Sequence, residues 1–168
     1  MAEWIARGGA EPQPPHPPRG PNPTLRELID VLAIGQSEQV GPATLTLLSV
    51  ERYRDGFLAQ LRLLQEYTPP EDPSRRGFPE LVCEASDERG GRYTMWPNGG
   101  SGGGGRGVLH WRLAYRYAPA LDPTARELRL SIPTVRWRHL ASAGQPSAPD
   151  EVFDGPWTFL VALPALSG

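Results

Sequence analysis

Several segments of this chain alternate strictly between apolar and polar side chains. In residues 109–117, for example, Trp111 and Leu113 belong to one face and Arg112 to the other, and residues 157–163 repeat the pattern. A period of two is typical of a β-strand with one face on a core and the other in water. The pattern therefore predicts an antiparallel β protein.

The best-defined unit is a predicted hairpin. Residues 44–53 and 57–65 both alternate, and they flank an Asp55-Gly56 pair, which is a strong two-residue turn signal. With these two residues as the loop, Val50 faces Leu61, and most apolar side chains share one face.

Arg52 is an exception within this hairpin, because the alternation places it on the core side. Two interpretations remain open. The side chain extends past the end of the sheet into water, or it pairs with a buried carboxylate, for which the Asp87-Glu88 turn is a candidate.

Residues 24–35 carry mixed signals. Thr24 and Glu27 match a helix capping box, Leu25 and Leu28 fit one helical face, and residues 31–34 suit a strand. We expect a short helical turn that runs into a first strand.

Further strands are predicted at intervals along the rest of the chain, with Pro133 either separating two of them or bending an edge strand. The total is seven to nine, which favours a two-sheet antiparallel, immunoglobulin-like sandwich. The predicted segments are residues 81–86, 92–96, 108–117, 127–132, 134–138 and 156–163.

Proline and glycine mark two segments as different from this domain. Seven of the 20 prolines lie in residues 1–23, which predicts a disordered tail before a single domain over residues 24–168. Seven of the 19 glycines lie in residues 97–107, which predicts a flexible loop. That run contains Gly-x-Ser-x-Gly around Ser101, but it leads into a strand pattern and lacks the strand-to-helix turn that a hydrolase nucleophile needs.

Composition narrows the functional classes. The net charge of −2 argues against a nucleic-acid binder, and all 17 basic residues are arginine. The single cysteine, Cys83, excludes an internal disulfide, and its apolar neighbours indicate a buried, inert thiol. The first residues lack a secretory signal, and no stretch reaches the roughly 20 apolar residues of a membrane helix. These features predict a cytoplasmic protein without membrane insertion.

No catalytic, cofactor-binding or metal-binding constellation stands out. His110 and His139 lie beside arginines, a poor setting for a cation. The candidate site is instead an arginine surface, which forms if two of the predicted strands are neighbours and which would suit an acidic partner. Its members are Arg112, Arg116, Arg129, Arg136 and Arg138.

Four blocks of sequence carry a family resemblance: residues 35–40, 47–57, 87–93 and 154–164. Together they resemble small uncharacterised β-sandwich proteins of high-GC actinobacteria. They are also similar in layout to immunoglobulin-like domains of unknown function of the DUF4179, DUF4352 and DUF5643 types in Gram-positive bacteria. The resemblance covers residues 30–165 and implies a fold, but it implies no catalytic residues.

Three functional hypotheses follow. The first is a non-enzymatic module that binds a protein partner through an exposed sheet face, an edge strand or a loop. The second is a small-ligand binder or enzyme with a pocket near Tyr93, Trp96 and the glycine run. The third is a detached copy of a Gram-positive envelope or sensor domain. No cofactor is expected for the first hypothesis.

Overall fold

The computed structural model describes residues 22–66, 77–105, 107–139 and 150–166. These residues form eight antiparallel strands, which confirms an all-β protein and the predicted number of strands. The tail predicted for residues 1–23 lies almost entirely outside the described residues. The strands are β1 (Leu28–Val40), β2 (Ala43–Tyr53), β3 (Gly56–Glu66), β4 (Gly77–Asp87), β5 (Arg92–Gly105), β6 (Val108–Ala118), β7 (Glu127–His139) and β8 (Glu151–Ala162).

The strands belong to one curled sheet with the order β1-β2-β3-β6-β5-β4-β7-β8. Its two outer strands approach each other, and the Gln36 side chain on β1 donates a hydrogen bond of 2.9 Å to the carbonyl of Leu160 on β8. The sheet is therefore a nearly closed barrel, and the predicted two-sheet sandwich is wrong. The reason is the hairpin between β4 and β5, which joins the β1-β2-β3-β6-β5 strands to the β4-β7-β8 strands.

The core lies inside this barrel. Inward-pointing residues of every strand except β1 and β5 are buried, and Trp157 and Phe159 of β8 are fully buried. Two indole N–H groups find partners on other strands. Trp137 donates to the Gln65 side chain at 2.6 Å, and Trp157 donates to the carbonyl of Ala43 at 3.3 Å. These bonds satisfy the polar ends of large side chains that fill one part of the interior.

The predicted hairpin is present, but its register differs by two residues beside the turn and by three residues beyond a bulge at Leu48. Arg54 and Asp55 form the turn, and Tyr53 pairs with Gly56. Gly56 belongs to β3, and its position requires glycine because a Cβ there would collide with the carbonyl oxygen of Tyr117 on β6.

The two-residue shift keeps Val50 and the inward positions of β3 on their predicted faces, although Val50 pairs with Ala59 rather than Leu61. Beyond the bulge the two faces of β2 are exchanged, so Leu47 is the buried residue opposite Leu61.

Residues 24–27 do not form the predicted helical turn. They run as irregular chain into β1, and Glu27 adopts a positive φ of 51°. The Glu27 carbonyl accepts a hydrogen bond of 3.3 Å from the backbone N–H of Arg54, so pairing with the β2–β3 turn replaces the local helical bonds. The strand half of the prediction is confirmed, and β1 begins at Leu28.

Pro133 lies within one continuous strand. The β7–β8 register shifts between Ile132 and Thr134, and the β4–β7 register shifts between Val82 and Glu84. Pro133 therefore occupies a bulge, where its missing N–H breaks no ladder bond. The predicted separation into two strands is wrong, and so is the predicted edge position, because β7 is one strand that is paired on both sides.

Arg52 points into the interior, as the alternation predicted, and only 6 % of the residue is exposed. Its guanidinium forms an ion pair with Asp30 of the neighbouring β1 and also donates to the carbonyl of Pro164 at 3.0 Å. The prediction of a carboxylate partner is thus confirmed, but the partner is the half-buried Asp30 rather than the turn at residues 87–88.

Among the residues that the structure describes, no helix has the length and apolar character needed to cross a membrane.

Candidate functional site: a cleft between β4 and β5

The sheet is interrupted between β4 and β5. Only two residue pairs join these strands, Ala85 with Tyr93 and Ser86 with Arg92, next to the turn that connects them. Beyond these pairs the strands separate, although each keeps a long ladder with its other neighbour. The separation leaves a cleft of about 920 Å³ that reaches from the outer surface into the barrel.

Two prolines explain why the ladder stops. Continuing the observed register would place Leu81 opposite Pro97 and Pro79 opposite Gly99. Proline has no N–H to donate, so neither position can complete a continuous antiparallel ladder. The β5 strand also changes register between Pro97 and Gly99, and the φ of Gly99 is 113°. The cleft is therefore open because of Pro79 on the β4 edge and of Pro97 and Gly99 on the β5 edge.

The glycine run forms one wall of the cleft. It belongs to β5 and pairs with β6 as far as Gly105, so the predicted flexible loop over residues 97–107 is wrong for the described residues. A Cβ at Gly102 would lie 2.5 Å from the Trp111 ring, and one at Gly100 would lie 2.7 Å from Leu113. Large β6 side chains cover these glycines and compensate for their missing side chains, an arrangement known to stabilise glycine in sheets.

The glycine run also determines which side chains line the interior here. Gly100 and Gly102 lie opposite inward-facing residues of β6, so this half of β5 contributes no side chains to the interior. The space over these two glycines is taken by Leu113 and Trp111 of β6. These two side chains therefore line the cleft in place of β5 side chains.

The lining of the cleft is apolar inside and polar at the mouth. The polar groups come from the outward-facing positions of β4, β5 and β7. The inner lining includes Leu81, Cys83, Ala85, Met95, Trp111, Leu113 and Tyr115, and the mouth includes Glu80, Glu84, Ser86, Arg92, Arg129 and Ser131.

The cleft is closed at the end where β4 and β5 are paired, next to the turn that joins them. Asp87 organises this turn. Its carboxylate accepts hydrogen bonds from the backbone N–H groups of Arg89 and Gly91, at 2.9 and 2.8 Å, and from the Tyr93 hydroxyl. Burial by itself raises the pKa of Asp87. The hydrogen bonds from Tyr93, Gly91 and Arg89 outweigh burial and hold this pKa below its usual value.

The replacement Asp87→Asn should therefore destabilise the protein in a pH-dependent manner. At pH 7 we expect a loss of about 1–2 kcal/mol in the free energy of unfolding, because hydrogen bonds to a charged acceptor are lost. The folded-state pKa is lowered, so this stabilisation is complete above the unfolded-state pKa and disappears as pH falls through the folded-state pKa. Urea unfolding at pH 7 and pH 3 should show a difference that shrinks at the lower pH.

The exposed carboxylate of Asp154 provides the control for this experiment. Asp154→Asn should leave the free energy of unfolding unchanged at both pH values. A loss for Asp87→Asn that is equally large at pH 3 would contradict the role of the charge and indicate a purely steric effect.

Cys83 forms part of the inner wall of the cleft. The residue is only 5 % exposed, which confirms the predicted burial. Burial raises the pKa of the Cys83 thiol to about 12, an effect that a hydrogen bond with Tyr117 opposes only in part. The thiol is therefore protonated at neutral pH, and it contributes an apolar surface rather than a thiolate nucleophile.

The five arginines predicted to form one surface are divided between two parts of the sheet. Arg112 and Arg116 lie on β6, whereas the other three lie on β7, and β5 and β4 separate these strands. The predicted surface therefore does not assemble as one patch, because β6 and β7 are not neighbours. Within the described residues, the arginines have these partners: Arg116 donates to the carbonyl of Pro23, Arg136 approaches Asp150, and Arg138 pairs with Glu80.

Arg129 is the member of that set that reaches the cleft. It lies at the mouth, paired across β4 and β7 with Ser86. Arg112 is exposed and lies between Arg62 of β3 and Ser101 of β5, away from the cleft lining.

The other candidate chemistry noted in the sequence does not assemble. Ser101 is an exposed strand residue paired with Arg112, so no nucleophile turn forms around it. His110 is exposed on β6. Among the residues that the structure describes, no group of three His, Cys, Asp or Glu side chains is placed to hold a metal ion.

Sequence reasoning located part of this site. Tyr93, Gly99 and Gly100 line the cleft, as the predicted pocket near the glycine run required. Trp96 does not, because it pairs with the outward-facing Arg116. The β4 wall and Arg92 were missed, and the signal that could have found them is the pair of prolines in two otherwise regular strand patterns.

Comparison with known proteins adds little to this picture. No protein-family model matches the chain, and no curated protein matches it. A solved structure described as the conserved domain protein from Bacillus anthracis is similar to it, with a TM-score of 0.47 and 16 % identity. The match covers 80 % of this chain and 48 % of that one, so this chain spans about half the length of that protein.

Proposed function

We propose that this protein binds a small, largely apolar molecule in the cleft between β4 and β5. The observation that carries the proposal is a cleft of about 920 Å³ with an apolar interior and a few polar groups at its mouth. Pockets of roughly 300–1,000 Å³ with this distribution of polarity are typical of small-molecule sites.

The cleft is a consequence of the sequence rather than of loose packing. Elsewhere in the described part of the barrel, Trp157 and Phe159 are fully buried and Trp137 is nearly so. Between β4 and β5 the ladder stops after two residue pairs, and Pro79 and Pro97 line the gap. Filled cores are more stable than cavities, so a gap that the sequence itself produces favours a site for a ligand.

Binding of an extended peptide is the competing use of the same gap. The β4 and β5 strands each present an unpaired edge there, and a peptide strand can add to such an edge. Pro79 and Pro97 weigh against this, because proline on an edge blocks strand addition. A module that binds a protein partner, the first hypothesis from the sequence, remains a prediction.

The chemistry of the wall favours binding over catalysis. Cys83 is the thiol that faces the cleft, and its raised pKa keeps it protonated at neutral pH. The other inner residues are hydrocarbon, thioether and aromatic side chains, which bind by burial of apolar surface.

A neutral fluorescent probe tests the proposal. N-phenyl-1-naphthylamine should bind saturably to the wild-type protein, because it is apolar and small enough for the cleft. Met95 is half-buried and lines the cleft, so Met95→Trp should narrow it and weaken probe binding by about tenfold or more. The matched control Met95→Leu keeps a similar volume and should bind like the wild type.

Thermal unfolding of both variants shows whether they are folded. Wild-type affinity in a folded Met95→Trp variant, or the absence of saturable binding by the wild type, would overturn the proposal.

A further inference from the structure

We infer that the ligand of this cleft carries an anionic head group, a carboxylate or a phosphate, held at the closed end by Arg92 and Arg129. This inference rests on the proposed function and specifies the class of ligand. Both arginines belong to the mouth of the cleft, and the apolar lining continues inward from them.

The two arginines flank one serine. Ser86 of β4 pairs with Arg92 of β5 on one side and with Arg129 of β7 on the other, so the three residues form a row across the outer face. Two strand spacings of about 4.8 Å separate the backbones of the arginines. Both side chains can therefore reach an anion above Ser86, whose hydroxyl provides a further donor.

The two arginines differ from others on the same sheet in their charge partners. Within the described residues, neither Arg92 nor Arg129 forms an ion pair, whereas Arg138 on the same β7 strand as Arg129 pairs with Glu80. Glu84 is the remaining carboxylate in the lining, and it lies one outward position farther from the closed end than Ser86. Counted over the described residues, the mouth thus has two arginines without an ion pair against one such carboxylate.

An anion between the two arginines would gain more than charge attraction. Guanidinium groups bind carboxylate and phosphate oxygens in a bidentate manner, and such charge-assisted hydrogen bonds are about twice as strong as neutral ones. A ligand with a hydrocarbon chain would place that chain along the inner wall formed by Leu81, Met95 and Leu113. The chemistry of the whole cleft therefore fits an amphipathic acid.

Dodecanoate, dodecyl phosphate and dodecanol share one hydrocarbon chain and differ in their head group. Comparing their affinities therefore separates the contribution of the head group from that of the chain. Displacement of the neutral probe, below the concentration at which the compounds form micelles, measures each affinity. We expect at least one anion to bind about tenfold more tightly than the alcohol, and the ratio of the two anions distinguishes carboxylate from phosphate.

Charge variants connect this preference to the named residues. Arg92→Gln and Arg129→Gln should each weaken anion binding about five- to tenfold and leave dodecanol unaffected. Glu84→Gln should strengthen anion binding, because it removes the free carboxylate. Arg112→Gln, which changes an exposed arginine outside the cleft, is the matched control and should bind like the wild type.

Each adverse result has a distinct meaning. Equal affinity for anions and alcohol, or an equal loss for the Arg112 control, would overturn the head-group inference and leave binding in the cleft intact. Failure of all three compounds to displace the bound probe would also overturn the inference. Failure of the probe itself to bind would overturn both the inference and the proposed function.

Discussion

Trp157→Ala should lower the free energy of unfolding by about 3–5 kcal/mol, the usual range for truncating a large aromatic side chain in a core. Trp157 has no exposed surface and is the largest of the fully buried side chains. Its indole N–H also donates to the carbonyl of Ala43 on β2, so truncation leaves that carbonyl without this partner. Chemical unfolding followed by circular dichroism, which does not depend on the deleted fluorophore, measures the change.

Leu160→Ala on the same strand is the matched control. Leu160 is 44 % exposed, so its truncation should change the free energy of unfolding by no more than about 0.5 kcal/mol. A similar small loss for Trp157→Ala would contradict the description of β8 as a wall of the barrel and would place Trp157 outside the core.

The strands themselves could be predicted because their signal is local. Two-residue alternation requires only that one face of each strand be buried, and Leu113, Tyr115 and Tyr117 are buried as the pattern predicted. The same argument placed Arg52 inside. Its partner Asp30 could not be identified, since that assignment depends on which strand lies beside β2 and on a register shift within that pair.

The glycine-rich half of β5 shows where local reasoning fails. By composition alone, residues 97–107 resemble a linker. They form a strand because Trp111 and Leu113, on the next strand along the chain, cover the glycines from inside. Stabilisation of this kind is a tertiary contact, which propensity within a short window does not contain.

Strand order accounts for the other differences. A barrel and a two-sheet sandwich have the same alternation, and here the choice depends on the two residue pairs that join β4 to β5. The same order separates Arg112 on β6 from Arg129 on β7 and brings Arg129 together with Arg92. The residues of the candidate site were therefore visible in the sequence, whereas their grouping was not.

Asp30→Leu should lower the free energy of unfolding by about 3 kcal/mol, because it leaves a buried cation without its counter-charge. The Arg52 side chain is 7 % exposed, whereas the Asp30 side chain is 34 % exposed. Arg52→Leu should therefore cost less, about 1–2 kcal/mol, since water can solvate the carboxylate that remains. This difference between the two single variants is the first quantity to measure by urea unfolding at neutral pH.

The double variant Asp30→Leu/Arg52→Leu decides what the pair contributes. Burying two charges requires removing them from water, and an apolar pair of suitable volume avoids that cost, so the double variant should be much more stable than the sum of the single losses implies. The exposed pair of Arg54 and Glu27, with side chains 74 % and 65 % exposed, should show no measurable coupling in the same cycle. Additive losses at Asp30 and Arg52 would mean that the two charges act independently. In that case the hydrogen bond from Arg52 to the Pro164 carbonyl, rather than the ion pair, would be the interaction that holds this side chain inside the barrel.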